Sequence, residues 1–525
     1  MTLPDWIVII AYLIGMIVLS AWLSRGQSSD ADYYVGGRAL PWWALALSTM
    51  ATQTSANSFL GIPAFVALAP GGGLTWLQYE LALPFAMVLL MLFLAPVFRG
   101  LHLISVYEYL EKRFDRGTRL LMSGVFLVSR GLATGVAVYA GALMVQVCTG
   151  LPLWASIVLM GGVTVVYDTL GGMKAVVWSD VIQMFVLFAG IFLCGWVALE
   201  TVGGWPSAVA THTPERLAGI ELGHGIGDGA RTPFWGFMVG GLVLYLSYYG
   251  VDQSQVQRQL AAPSVRDAKR TLVFNGVARF PLTLLYALLG LAIGAVYHGS
   301  TELRAAVPEG RLDYLVPRFI ELYLPAGARG LLVAAILAAA MSSLDSALNS
   351  LSASTLRDFV APWVSERRRL LASRLVTAGW GAVITGFAFV VGDISTTVVE
   401  GINRLGALFY GPLLAAFASG ILDRRARGPG VIAGVVAGVG VNLLLSFFAA
   451  ELFWMWWNVT GLIVATVVTA LVSRLLAPPR AEQLAQTTVT RAQLVASWQR
   501  NGGIYVGLLA YGCALIAIAA WCGVR

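Results

Sequence analysis

Charge is what this sequence has least of. Of its 525 residues, 12% are Asp, Glu, Lys or Arg and 58% are hydrophobic. A soluble domain carries about a quarter charged residues, so the deficit excludes an ordinary globular protein. Histidine and cysteine are scarce, at four each. His102, His212, His224 and His298 fall in loops or at the ends of apolar runs, leaving almost no material for a proton relay or a zinc site. Cys148, Cys194, Cys513 and Cys522 lie in or beside apolar runs without ligand spacing and read as small packing groups. No GxxxxGK[ST] pattern occurs, so an ATP-driven pump has no support, and no nucleotide-binding or signalling domain is appended. The net charge of +7 sits in short loops with no aromatic-basic surface, which argues against a nucleic-acid partner.

What is present is apolar sequence in lengths that cross a bilayer. Windows of about 20 apolar residues recur from end to end and suit helices, not barrel strands. The expected fold class is an all-α polytopic membrane protein. Fourteen spans are predicted, near 5–24, 41–69, 75–98, 119–149, 152–170, 174–200, 233–257, 271–298, 329–356, 370–392, 396–421, 428–450, 452–474 and 503–522. Asp5 precedes the first run and Arg25 follows it; a signal peptide has a basic leading region, so this is a retained span. Most Lys and Arg fall in the odd-numbered loops, as in Arg99, Lys112, Arg113, Arg116 and Arg119, or Arg367, Arg368 and Arg369. The positive-inside rule then puts both termini outside the cell's inner (plasma) membrane, as an even span count requires. Residues 478–502, opening with Pro478 and Pro479, read as a cytoplasmic linker, and 503–525 as a peripheral last span.

Four segments carry candidate chemistry. The second span holds Ser48, Thr49, Thr52, Gln53, Thr54, Ser55, Asn57 and Ser58, followed by Gly61 and Pro63. Hydroxyl-rich, uncharged sequence at membrane depth is where a helix can unwind and free carbonyls for a ligand. Interhelical hydrogen bonding is the plainer reading, and eight polar residues in eleven exceed it. In the ninth span Ala339, Ser342, Ser343 and Ser346 share one helix face, suited either to a hard cation such as sodium or to close packing. Asp345 stands on its flank. Asp180, in the sixth span, is a carboxylate that must be paired, hydrated or holding a cation, or else serves as an anchor near the inner interface. Arg130, in the fourth span, suits a solute carboxylate bidentately, or pairs with an acid elsewhere, or snorkels. Gln78 and Tyr248 are weaker candidates, since buried Gln and Tyr commonly satisfy a neighbour.

Taken in order, YYVGGRALPWWALALS (Tyr33–Ser48), GGMKAVVWSDVIQ (Gly171–Gln183), YYGVDQSQVQR (Tyr248–Arg258) and AAAMSSLDSALNS (Ala338–Ser350) resemble the sodium/solute symporter family, over most of Tyr33 to Asp423. The resemblance implies a core of residues 1–477 with a leading span and two inverted five-helix repeats, about 41–200 and 233–421, the first helix of each broken. It implies a main sodium site at Ala51, Thr54, Ala339, Ser342 and Ser343. A second sodium, which some members bind, maps to Asp180, Ser342, Asp345 and Ser346, although Asp345 departs from the usual hydroxyl. The solute region maps to Gln53, Ser55, Ser58, Gln78 and Arg130, and Tyr248 matches an inner-gate aromatic. The segment ATQTSANSFLG (Ala51–Gly61), with Gln78 and Arg130, looks most like that of sialic acid and related carboxylate carriers. The expectation is a transporter, not an enzyme, that couples Na+ entry to uptake of a small organic solute and needs no obligate protein partner. Carriage of a neutral sugar or amino acid, proton coupling through Asp180 or Asp345, and a non-transporting membrane sensor are the alternatives.

Overall fold

The computed structural model describes residues 1–227, 232–391, 398–449 and 451–524. Residues 396–397 at the start of the eleventh predicted span, and the last residues of the tenth and twelfth, lie outside these. Among the described residues the protein is helical, with one isolated bridge between Ile220 and Val524. Among the described residues, ten helices are long and apolar enough to cross a membrane. They cover the first, third, fourth, eighth to tenth and twelfth to fourteenth predicted spans, plus one 50-residue helical run, Leu153–Val202, that holds the fifth and sixth together. That run is two helices joined by a kink at Gly172, where φ 53° and ψ −151° leave the helical region. A Cβ there would stand 2.5 Å from the Tyr33 carbonyl oxygen, so both the conformation and the contact demand glycine.

The remaining predicted spans are interrupted or shorter. The second is two helices, Trp42–Gln53 and Ala56–Leu68, parted at Thr54 (φ −95°, ψ 88°) and Ser55 (φ −88°, ψ 169°). The seventh runs through Gly236–Gly240 and Gly241–Gly250, stops at Val251, and resumes as Gln253–Ala261. Asp252 starts the second piece by accepting the Ser254 amide at 2.8 Å, an N-cap. The eleventh is Val398–Leu422.

The ninth span, Ala328–Ser354, is the axis of the molecule: nearly every residue from Gly330 to Ser354 is buried. It packs on the first, second, fourth, fifth and sixth spans. The first, tenth and twelfth to fourteenth helices form the rim, with mostly exposed apolar flanks that suit lipid. One boundary differs from the sequence expectation. The last helix begins at Arg491, not near 503, because Thr490 and Gln493 form a capping box, and Ala481–Ala485 is a short helix within the expected linker.

Candidate functional site

The site begins with the gap in the second span. Thr49, Thr52 and Thr54 each turn their hydroxyl back onto the carbonyl four residues earlier, at 2.7, 2.9 and 2.9 Å. Such bonds compete with the backbone ladder and weaken the helix where they cluster. With the helix ending at Gln53, the Thr54 N–H closes the last turn onto the Met50 and Ala51 carbonyls at 3.1 and 2.9 Å, and the negative end of the helix dipole lies at the gap. The ninth span answers with hydroxyls. Ser342 Oγ donates to the Ala51 carbonyl at 3.2 Å and to the Ala339 carbonyl at 3.1 Å, and Ser343 Oγ to the Thr52 carbonyl at 3.3 Å. Ala51, Ala339, Ser342 and Ser343 are thereby brought together as an all-oxygen cluster without formal charge. Thr54 lies at the gap beside them, and its hydroxyl accepts from Arg279 Nη1 at 2.8 Å.

Next to this cluster is a cavity of about 380 Å³. Gln53, Ser55, Ser58 and Ser343 line it, with Phe65, Trp76 and Tyr79 as aromatic walls. Leu312 and Asp313, from the loop between the eighth and ninth spans, border it, and Arg130, Tyr248 and Tyr410 line it as well. Arg130 lies over the Tyr248 ring, 5.5 Å from its centroid, and Tyr248 meets Tyr410 edge-on at 6.2 Å. Arg130 Nη2 donates to Ser254 Oγ at 2.7 Å, and Nη1 stands 3.6 Å from Asp252 Oδ2. Arg130 thus has its acid on another helix, at the break of the seventh span. Arg130 and Tyr410 also line a second, smaller cavity with Asp252 and Ser247, so they partition the two spaces.

Gln78 does not line this cavity. Its amide donates to the Thr75 and Thr232 carbonyls at 2.9 and 3.1 Å and accepts from the Glu221 N–H at 3.0 Å, tying the third span to the long 201–232 loop. The residues mapped to a second ion are held by protein groups. Asp180 Oδ2 accepts from Ser48 Oγ at 2.5 Å and from Arg258 Nη2 at 3.3 Å, and Arg258 also bonds Ser346 Oγ. Asp345 accepts from Tyr167 Oη at 2.7 Å and from Ser346 Oγ at 3.2 Å. Ser342 belongs to the main oxygen cluster.

Sequence reasoning passed over four charged residues here: Glu80, Asp252, Arg258 and Arg279. All four are buried. Arg279 Nε meets Glu80 Oε1 at 3.1 Å, and both line the cavity. The signal was available, since an ionisable residue inside a span is a site candidate by default, but partners 70 to 200 positions apart leave no mark in local spacing.

The sodium:solute symporter family profile matches residues 33–438. The human sodium/iodide cotransporter is 33% identical over 430 residues, covering 81% of this chain and 66% of that protein, so the chain spans just under two thirds of this relative's length. The sodium/sialic acid symporter of Proteus mirabilis (strain HI4320) is 27% identical over 91% of this chain and 96% of its own. Among solved structures, the substrate-bound outward-open state of a Na+-coupled sialic acid symporter superposes with a TM-score of 0.82 at 26% identity, covering 92% of this chain and all of that one. A profile match over most of the chain, with motifs, cavity and oxygen cluster arranged as above, fixes the family: this chain belongs to the sodium:solute symporters.

Proposed function

We propose that this chain is a secondary active transporter that couples inward sodium movement to uptake of a small organic acid. The carrying observation is the meeting of the carbonyls at the second-span gap with Ser342 and Ser343 beside the cavity. Sodium is a hard cation that takes several neutral oxygens, which Ala51, Thr54 and Ala339 carbonyls and the two serine hydroxyls supply. The solute occupies the cavity against Gln53, Ser55 and Ser58, with Arg130 at its inner boundary; Gln78, bonded elsewhere, is left out of this set. Sodium bound between the second and ninth spans stabilises the form in which that cavity is complete. Tyr248 and the Arg130–Asp252 contact then separate to release both cargoes on the other side. Coupling requires that sodium favour one form over the other, not merely that it bind tightly.

This reading includes fourteen crossings, both termini outward in the plasma membrane, and two inverted repeats. Interruptions in the second and seventh spans, the first helix of each proposed repeat, support it. A second sodium at Asp180 and Ser346 would require the Arg258 guanidinium to give way. One observation favours a neutral sugar or amino acid as cargo instead: Arg130 and Arg279 already have Asp252 and Glu80 as counter-ions.

The test is uptake into proteoliposomes under an imposed sodium gradient at fixed pH, using monocarboxylates, sialic acid, neutral sugars and amino acids. Accumulation of an acid that collapses when choline replaces sodium is the expected result. Accumulation driven equally well without sodium, or of none of these solutes, would sink the proposal.

A further inference from the structure

Arg279 is 3% exposed, yet it borders the cavity. Its Nε is held by Glu80 Oε1, and that carboxylate is fixed in turn by Tyr245 Oη on Oε2 at 2.8 Å and Thr283 Oγ1 on Oε1 at 2.9 Å. Its Nη1 donates to Thr54 Oγ1 at 2.8 Å. Nη2 has no protein acceptor among the described residues. A buried guanidinium on a cavity wall, with Nε and Nη1 held by protein and Nη2 without a protein acceptor, is arranged to receive an oxygen from something that enters. Arg130 is not arranged this way: its Nη2 is spent on Ser254, and its buried Nε faces no acceptor.

A purely structural ion pair between the third and eighth spans would need neither the cavity position nor the Thr54 bond. The Thr54 bond also gives Arg279 a second consequence. Thr54 is one of the two residues at which the second span is interrupted, and the Ala51 carbonyl that Ser342 contacts lies one turn before it. A guanidinium pulled toward a solute therefore shifts the hydroxyl that steadies the sodium ligands.

We propose that Arg279 contacts the solute's carboxylate through Nη2 and, through Thr54, links that contact to the sodium ligands at the helix gap. The inference rests on the symporter reading. It makes Glu80 a positioning residue that holds the fork at the angle which leaves Nη2 free.

The test is calorimetric binding of N-acetylneuraminate and of propionate to the purified full chain, in sodium and in choline buffer. The paired variant Glu80→Gln/Arg279→Gln removes both charges together, so neither is left buried alone. It should weaken carboxylate binding in sodium by about tenfold or more, and weaken propionamide binding far less. Thr54→Val removes the hydroxyl and keeps the backbone carbonyl. The factor by which sodium tightens carboxylate affinity should then fall toward one. Unchanged carboxylate affinity in the paired variant, or undiminished tightening by sodium in Thr54→Val, would overturn the proposal. Should the paired variant not fold, Thr54→Val decides alone. A wild-type chain that binds neither probe in a sodium-dependent way defeats the organic-acid reading itself, and this inference with it.

Discussion

At the scale of single residues, the ninth-span serines show how much geometry a spacing rule holds. The i, i+3, i+4 pattern of Ala339, Ser342 and Ser343 predicts a shared face, and that face meets the carbonyl end of the broken second span. Whether it packed or bound an ion was undecidable from the pattern, because both uses want small residues. Its position against the carbonyls at the second-span gap, beside the cavity, supports the ion reading. Ser343→Ala should raise the sodium concentration for half-maximal uptake by roughly threefold to tenfold, about what losing one polar contact costs. An unchanged sodium dependence would remove Ser343 from the ligand set. Arg130 was legible as a charge in need of a partner, and Asp252 is that partner; Gln78 was read as facing the solute and instead ties a loop. A sequence shows which polar groups are costly to bury, but not which of several acceptors they find.

At the scale of elements, the spans were legible because the 20-residue apolar period is imposed by the bilayer. The second-span gap was legible from its run of hydroxyls. The seventh-span break carried a fainter mark, the Asp252–Gln253–Ser254 cap after Gly250, easily read as an ordinary polar end. The peripheral helices pack by a different device. Gly430, Gly434 and Gly438 line one face of Gly428–Phe448, and a Cβ at Gly434 would meet the Thr469 hydroxyl and the Ala465 carbonyl of Met455–Arg474. Small residues at every fourth position let two backbones close without a hydrophobic driving force. Gly434→Leu should lower the thermal unfolding midpoint in detergent, at a cost of about 1–3 kcal/mol from overpacking. Gly440→Leu, on the same helix with nothing within 4 Å, should leave it nearly unchanged. Equal effects at both positions would defeat this account of the packing.

At the scale of the whole molecule, Arg130 and Tyr410 stand between two spaces. These two residues come from the fourth and eleventh spans, whose crossing sets the boundary between the spaces. That arrangement is far from legible in sequence, since it depends on where two distant helices cross.

The neutrality of the oxygen cluster has a consequence for the membrane potential. Carbonyls and hydroxyls lend the ion no compensating charge, so each sodium carries its full positive charge through the field, worth about 2.3 kcal/mol per 100 mV. One sodium with one monovalent acid cancels, and uptake then generates no current and ignores voltage. One sodium with a neutral solute, or two with an acid, gives an inward current that grows with hyperpolarisation. With Arg258 already spending its charge on Asp180, the expected current for an acid cargo is near zero, and solid-supported membrane recordings measure it directly. A large inward current with an acid would require two ions per cycle, so the electrical signature of transport counts the ions.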